Sequence, residues 1–258
     1  MVSIDLNCDM GEGFGAYGLG DDDLVMPYIT SANVACGFHA SDPSTMWKTV
    51  KLAARHGVAV GAHPSYPDLV GFGRRALDAT ADEISADVTY QIGALSAFCH
   101  REGMRLRHVK AHGALYNKAA ENLSVAAAIA QAIKMADPEL TMVCLSNSAM
   151  VTAAREAGIP YVEEVFADRA YTQDGKLVPR SRQGAVLHDP ALIAQRVLEM
   201  VTKGTVVTID GAEIPLRAET ICVHGDTRGA FEMIKAIRGK LEEGNVTVKA
   251  FGRSRLTA

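Results

Sequence analysis

The chain has 258 residues, a formal net charge of -4 and 48% hydrophobic residues. That is apolar sequence enough for a sizeable core, in one to two domains at ~150 residues each. Mild acidity gives no electrostatic case for nucleic acid or an anionic membrane surface, and no apolar run approaches the ~20 residues of a membrane span.

Short β-rich runs alternate with amphipathic helical runs. Strand-like sequence begins at Val2, which leaves no room for a signal peptide. The first strand is read over residues 2–7, ahead of a glycine-rich loop, and the second over 31–36. Asp42-Pro43 opens a helix, because Asp accepts from free N–H groups and Pro suits the first helical position. Met46, Val50, Ala53 and Ala54 form its apolar face, and Gly57 ends it. A third strand covers 58–62. Thr80 and Glu83 spell a capping box that opens a long helix ending near Gly103. Strands follow over 106–110, 140–145 and 161–166. Asp189-Pro190 opens another helix, with Ile193, Val197, Met200 and Val201 on one face. A last strand over 220–223 precedes a helix carrying Ala230, Ile234, Ile237 and Leu241. The five cysteines contain no Cys-x-x-Cys pair and suit reduced, mostly buried thiols in the cytoplasm.

About seven repeats of strand then helix imply parallel strands with helices packed outside. No repeat, low-complexity stretch or linker splits the chain, so one domain is expected over residues 1–258. A closed (β/α) barrel is favoured over an open sheet because polar residues cluster at strand ends. Asn7 and Asp9 follow strand one, Asn33 lies in strand two, and His39 and His63 follow strands two and three. Lys110 and His112 end strand four, Asp168 and Arg169 strand six, and His224 and Asp226 the last strand. In a barrel these ends converge on one mouth; in an open sheet they spread along an edge.

Gly13, Gly15 and Gly18 match the spacing of a dinucleotide loop. Asp21, Asp22 and Asp23 follow, however, where a helix N-terminus should face a pyrophosphate, so an active-site loop is the better reading. No phosphate loop of the Gly-x-x-x-x-Gly-Lys type is present. A lone histidine is usually satisfied by one structural hydrogen bond, but His39, His63, His112 and His224 each follow a different strand. With Asp9, Glu12 and Asp226 they could bind a divalent metal or act as acids and bases, although their spacing matches no standard zinc signature. His56 suits a helix C-terminus, His188 the loop leading into a helix, and His100 and His108 surface or packing positions. Arg74, Arg75, Arg169, Arg180 and Arg182 lie in the two longest loops, where they could pair with a carboxylate or phosphate.

Six segments carry a resemblance to a known family: Asp5 to Gly15, Ser31 to Ala40, Gly61 to Arg75, Lys110 to Asn117, Glu164 to Tyr171 and Cys222 to Asp226. In order and over nearly the whole chain they resemble the LamB/YcsF family, the A subunits of ATP-hydrolysing 5-oxoprolinase. One departure is Ala111, where the family is expected to carry Pro. The resemblance implies a seven-stranded barrel related to glycoside hydrolase/deacetylase barrels, partner B and C subunits, and conversion of 5-oxo-L-proline, ATP and water to L-glutamate, ADP and phosphate. Residues expected to carry the chemistry are Asp9, His39, Lys110, His112 and Asp168. Those expected to hold substrate are Asn7, Asn33, His63, Arg75, Arg169, His224 and Asp226. Two rivals stay open: a stand-alone metal-dependent deacetylase or amidohydrolase, and a non-catalytic substrate-binding subunit.

Overall fold

From Asp5 to Met10 polar and apolar side chains alternate without a break. Successive side chains of a strand face opposite ways, so such a strand has one polar face and one apolar face. The computed structural model describes residues 2–223 and 229–252. In it the apolar face meets a ring of helices, and the polar face points into a closed barrel.

In chain order the strands are β1 (Ser3–Met10), β2 (Ser31–Ala35), β3 (Ala59–His63), β4 (His108–Val109), β5 (Thr141–Leu145), β6 (Tyr161–Phe166), an outlying pair β7 (Thr205–Val207) and β8 (Glu213–Pro215), then β9 (Thr220–Val223) and β10 (Thr247–Val248). Strands β1 to β6 pair in sequence, all parallel; β9 joins β6 and pairs back onto β1, closing a seven-stranded barrel. β10 adds two residues beside the start of β1. The helices are α1 (Asp22–Val25), α2 (Pro43–His56), α3 (Ala81–Arg101), α4 (Gly113–Glu121), α5 (Leu123–Ala136), α6 (Ala149–Ala157), α7 (Pro190–Lys203) and α8 (Ala230–Glu243). Among the described residues, no helix is long and apolar enough to cross a membrane.

The apolar core lies between barrel and helices. Leu6, Val34, Val60 and Ile221 from the strands join Val50, Leu95, Ile133, Val197 and Ile234 from the helices in one buried cluster. Fully burying each such side chain contributes roughly 1.5–3 kcal/mol. All five cysteines are buried and unpaired. The barrel lumen, by contrast, is polar, and its layers follow the strand register. Asp9 lies opposite Asn33, Asn33 opposite Gly61, and Gly61 opposite His108. A Cβ on Gly61 would lie 2.1 Å from the His108 ring, so glycine at 61 gives the imidazole its place in the lumen.

The caps fall where the sequence puts them. Asp42 accepts from the backbone N–H of Ser44 and Thr45, Thr80 and Glu83 form the reciprocal box, and Asp189 caps α7. Four expectations need correction. β1 continues to Met10, so Asn7 and Asp9 lie within it rather than after it. β4 shrinks to two residues, although the Lys110 N–H still bonds to the Ala62 carbonyl of β3 and its side chain keeps the inward alternation of His108. His108 is neither exposed nor mere packing, since its Nε2 lies 2.8 Å from Asn33 Oδ1 in the lumen. The β7–β8 hairpin, which the alternating reading has no place for, stands outside the barrel between α7 and β9.

Asp42 also accepts from the Gly15 N–H, tying the glycine loop to the start of α2. Asp42→Ala is therefore expected to cost about 1 kcal/mol of stability for the lost cap, measured by urea unfolding. It should also speed amide exchange at Gly15. Unchanged exchange at Gly15 would show that the tie does not order the loop.

Candidate functional site

Inward-facing residues build a polar column along the barrel axis. At its base Asp5 is 1% exposed and accepts from the hydroxyls of Thr30, Ser31 and Thr220. Burial pushes its pKa up to about 6 against those three hydrogen bonds. One step up, Asn7 donates to Glu164 (3.0 Å) and Thr220 (2.7 Å), and its Oδ1 accepts from Asn33 (2.7 Å).

Lys110 occupies the next layer and is 2% exposed. Its Nζ lies 2.9 Å from Glu164 Oε1, 3.1 Å from Asp9 Oδ1, 3.2 Å from Asn7 Oδ1 and 3.0 Å from Cys222 Sγ. Burial alone would lower the ammonium's pKa; Asp9, the Cys222 sulfur and Glu164 outweigh it and hold the lysine charged. Burial pushes the Cys222 thiol well above its usual range, so the sulfur accepts as a neutral group. Tyr116 from α4 donates to the other Glu164 oxygen at 2.7 Å.

Above this layer three imidazoles meet. His63 Nδ1 lies 2.7 Å from the Lys110 carbonyl, and His112 Nε2 lies 2.9 Å from the Phe72 carbonyl. Carbonyl oxygens only accept, so in the neutral rings each of these nitrogens carries the proton. The remaining nitrogens, His63 Nε2 and His112 Nδ1, face each other at 3.0 Å. His39 stacks on His112 with centroids 3.7 Å apart and planes 4° from parallel, and its Nε2 lies 3.2 Å from Glu12 Oε1. Burial, reinforced by His63, lowers the His112 pKa to about 3; burial and His112 also push His39 well below the usual imidazole range. The ligating atoms of Glu12, His39, His63 and His112 all lie within 4.8 Å of one another. The loop that packs on these rings passes through Gly73 at φ +61°, where a Cβ would strike Ser65, His39 and His112.

This column forms the floor of a 690 Å³ cavity at the C-terminal mouth, lined below by Asp9, Glu12, His63, Lys110 and His112. Arg74, Lys118, Arg169, Lys176 and Arg180 stand around its walls with Glu121, Tyr116 and Phe166. Arg169 is 6% exposed, donates to the Val178 carbonyl, and keeps a buried Nε without a partner among the described residues.

The structure thus brings Asn7, Asp9, Asn33, His39, His63, Lys110 and His112 together, with Arg169 on the wall. Two expected residues stand apart. Arg75 leaves the cavity to its neighbour Arg74 and pairs with Asp68. Asp168 is 1% exposed behind the wall, on a turn whose flanking carbonyls accept from Arg196 of α7. His224 and Asp226 lie outside the described residues. Sequence reasoning missed Asp5, Glu164, Tyr116 and Cys222 as members of the network. The alternation along β1 was the available signal for Asp5; Glu164 is one of two adjacent acids in β6, and Tyr116 and Cys222 carry no comparable mark.

A parallel seven-stranded (β/α) barrel with its polar site at the strand C-termini defines the class. The chain belongs to the LamB/YcsF family, whose profile matches residues 4–255. It is 54% identical over 251 residues to the A subunit of 5-oxoprolinase from Rhodopseudomonas palustris, covering 97% of this chain and 99% of that one. It is 48% identical to the lactam utilization protein of Thermus thermophilus, whose crystal structure it matches with a TM-score of 0.92 over 96% of this chain and 100% of that one. A family 4 carbohydrate esterase from Streptomyces lividans shares the fold at a TM-score of 0.50 and 13% identity, covering 98% of this chain and 97% of that one.

Asp5 supplies a test of the buried column. Its folded pKa of about 6 exceeds the ordinary value of 3.8, so between those pH values the folded chain holds a proton that the unfolded chain has lost. The Asp5 contribution to stability therefore falls as pH rises from about 4 to 6. Relative to wild type, Asp5→Asn should gain stability across that window, and carboxyl-carbon NMR should place the Asp5 midpoint near 6. A midpoint in the ordinary aspartate range would show that the lumen is wetter than its packing implies.

Proposed function

We propose that this chain is the A subunit of an ATP-dependent 5-oxoprolinase that opens 5-oxo-L-proline to L-glutamate in the cytoplasm together with B and C subunits. The observation that carries the reading is the Lys110–Asp9 pair on the floor of a cavity with five basic side chains on its walls. A relative of nearly the same length, at 54% identity, is named as the A subunit of 5-oxoprolinase, and the match to a lactam utilization protein points to the same ring chemistry.

A lactam resists water because amide resonance stabilises it. Transfer of the ATP γ-phosphoryl group to the lactam oxygen makes the ring carbon electrophilic, with ADP as the leaving group. Water adding to that carbon loses a proton to a base. The resulting tetrahedral species breaks productively only at C–N; expelling phosphate instead would regenerate the lactam. A proton delivered to the ring nitrogen decides between these outcomes. C–N cleavage leaves an acyl phosphate, which a second water converts to glutamate and phosphate.

The floor supplies groups for each need. Asp9 has Oδ1 held by Lys110 and Asn33, while Oδ2 lies 3.4 Å from His63 Nε2, so it serves as the base toward the cavity. Lys110 offsets charge that develops on the substrate oxygen or phosphate, acting at close range because water is excluded there. Asp9, having taken that proton, returns it to the ring nitrogen. The wall cations, Arg169 among them, hold the carboxylate and the phosphoryl group. His39, behind His112, positions that ring rather than touching substrate.

Turnover is tested by 5-oxoproline-dependent ATP hydrolysis and glutamate release, with and without B and C. The isolated chain is expected to show little or none. Asp9→Ala and Lys110→Ala should each lower turnover of the complex by roughly 10²-fold or more, with assembly and Trp47 fluorescence retained. Full coupled turnover by the chain alone would overturn the complex reading. Normal turnover by both assembled variants would overturn the residue assignment, and unfolding of both would make the pair structural.

A further inference from the structure

Hydrogen-bond accounting at the imidazole cluster leaves a surplus of lone pairs. The Lys110 carbonyl fixes the proton of His63 on Nδ1, and the Phe72 carbonyl fixes that of His112 on Nε2. With both rings neutral, the nitrogens that meet at 3.0 Å are then both acceptors, with no hydrogen between them. Two lone pairs at that separation repel unless a positive centre lies between them. Backbone carbonyls that hold the far nitrogen of an imidazole are also the usual support of metal-ligating histidines, because they fix both tautomer and ring orientation.

We infer that Glu12, His39, His63 and His112 form a binding site for one divalent first-row transition cation. Three imidazoles and a carboxylate are a borderline donor set, suited to Zn²⁺, Co²⁺ or Fe²⁺ rather than Mg²⁺ or Ca²⁺, which take oxygen ligands. Spacing agrees. Metal–nitrogen bonds of about 2.1 Å put neighbouring ligand atoms about 2.9 to 3.4 Å apart. The His63–His112 and His39–Glu12 edges are 3.0 and 3.2 Å; the Glu12–His112 edge, at 3.7 Å, must close by a few tenths of an ångström.

The third ring must tilt out of its stack on His112, because lone pairs in two parallel ring planes cannot meet on one cation. His39 Nδ1 is buried without a hydrogen-bond partner among the described residues, so moving its proton from Nε2 to Nδ1 breaks no bond at Nδ1. That shift bares Nε2 toward the cluster. Glu12, which would otherwise accept from Nε2, then contributes its carboxylate to the cation. The site opens onto the cavity, since Glu12, His63 and His112 also line its floor. The inference rests on hydrogen-bond geometry and stands independently of the ring-opening reading.

Binding is tested on the purified full chain after chelator treatment and buffer exchange. Zn²⁺ and Co²⁺ are titrated alone by calorimetry, and Co²⁺ also by visible absorption, which reports ligand number and type. One cation per chain is expected. His63→Ala and His112→Ala should each weaken binding by about 10²-fold or more, while His188→Ala, at an exposed loop position, should change nothing. Trp47 fluorescence reports folding, because its indole is held on α2 by Glu102 and lies under Arg101. A folded wild-type chain that binds neither ion stoichiometrically overturns the site. So does an imidazole proton resonance shared by His63 and His112 that persists in saturating Zn²⁺. Failure of 5-oxoproline turnover with B and C, alongside normal cation binding, would defeat the proposed function and leave this site standing.

Discussion

Burial of one ammonium group constrains the rest of the lumen. A lysine moved from water into a protein interior loses several kcal/mol of solvation unless anions and acceptors replace it. Here Glu164 and Asp9 supply the charge, and Asn7 and Cys222 supply the remaining acceptors. Each replacement brings its own requirement. Asn7 must also satisfy its amide, and does so on Glu164 and Thr220. The second Glu164 oxygen is taken by Tyr116, so α4 has to start immediately beyond Lys110. Removing one partner would strand a buried charge at a cost of roughly 3–5 kcal/mol.

From base to mouth the column passes from a carboxyl whose burial favours the neutral form, through amides, to a charged lysine among carboxylates and then to imidazoles. The order is physically sensible. Of the charged groups in this network, Asp9 and Lys110 reach the cavity. Backbone carbonyls at Lys110 and Phe72 orient the imidazoles just as the side chains orient the lysine. The same short stretch, Lys110 to His112, thus contributes a cation, a tautomer-fixing carbonyl and a ring.

Much of this was legible in the sequence wherever a local rule acts. Asp42-Pro43, Thr80 with Glu83, and Asp189-Pro190 each spell a helix start through hydrogen bonds made within three residues. Parallel strands with a polar mouth followed from alternation and from Asp9, His63 and Lys110 at strand ends. Long-range pairing was not legible. Glu164 looks like one of two adjacent acids in a strand, and nothing local shows that it faces Lys110 while Glu163 faces Ser146. Arg74 and Arg75 are equivalent in sequence, and only the turn around Asp68 sends one to the cavity and the other away. The β7–β8 hairpin is short and half exposed, too weak a pattern to interrupt the strand–helix rhythm.

The barrel by itself does not choose between a deacetylase and a ring-opening subunit, because one fold hosts many chemistries. At 13% identity the esterase likeness reaches the fold and stops there. Charge around the mouth separates the two readings. An acetyl ester or amide on a sugar carries no net charge and gains nothing from five basic side chains around it. A lactam bearing a carboxylate carries one anionic group on a small ring, and its phosphorylated form carries two. For such a ligand the wall cations are complementary in charge. A cation at the imidazole cluster is compatible with either chemistry; the basic side chains around the mouth suit the ring-opening reading better.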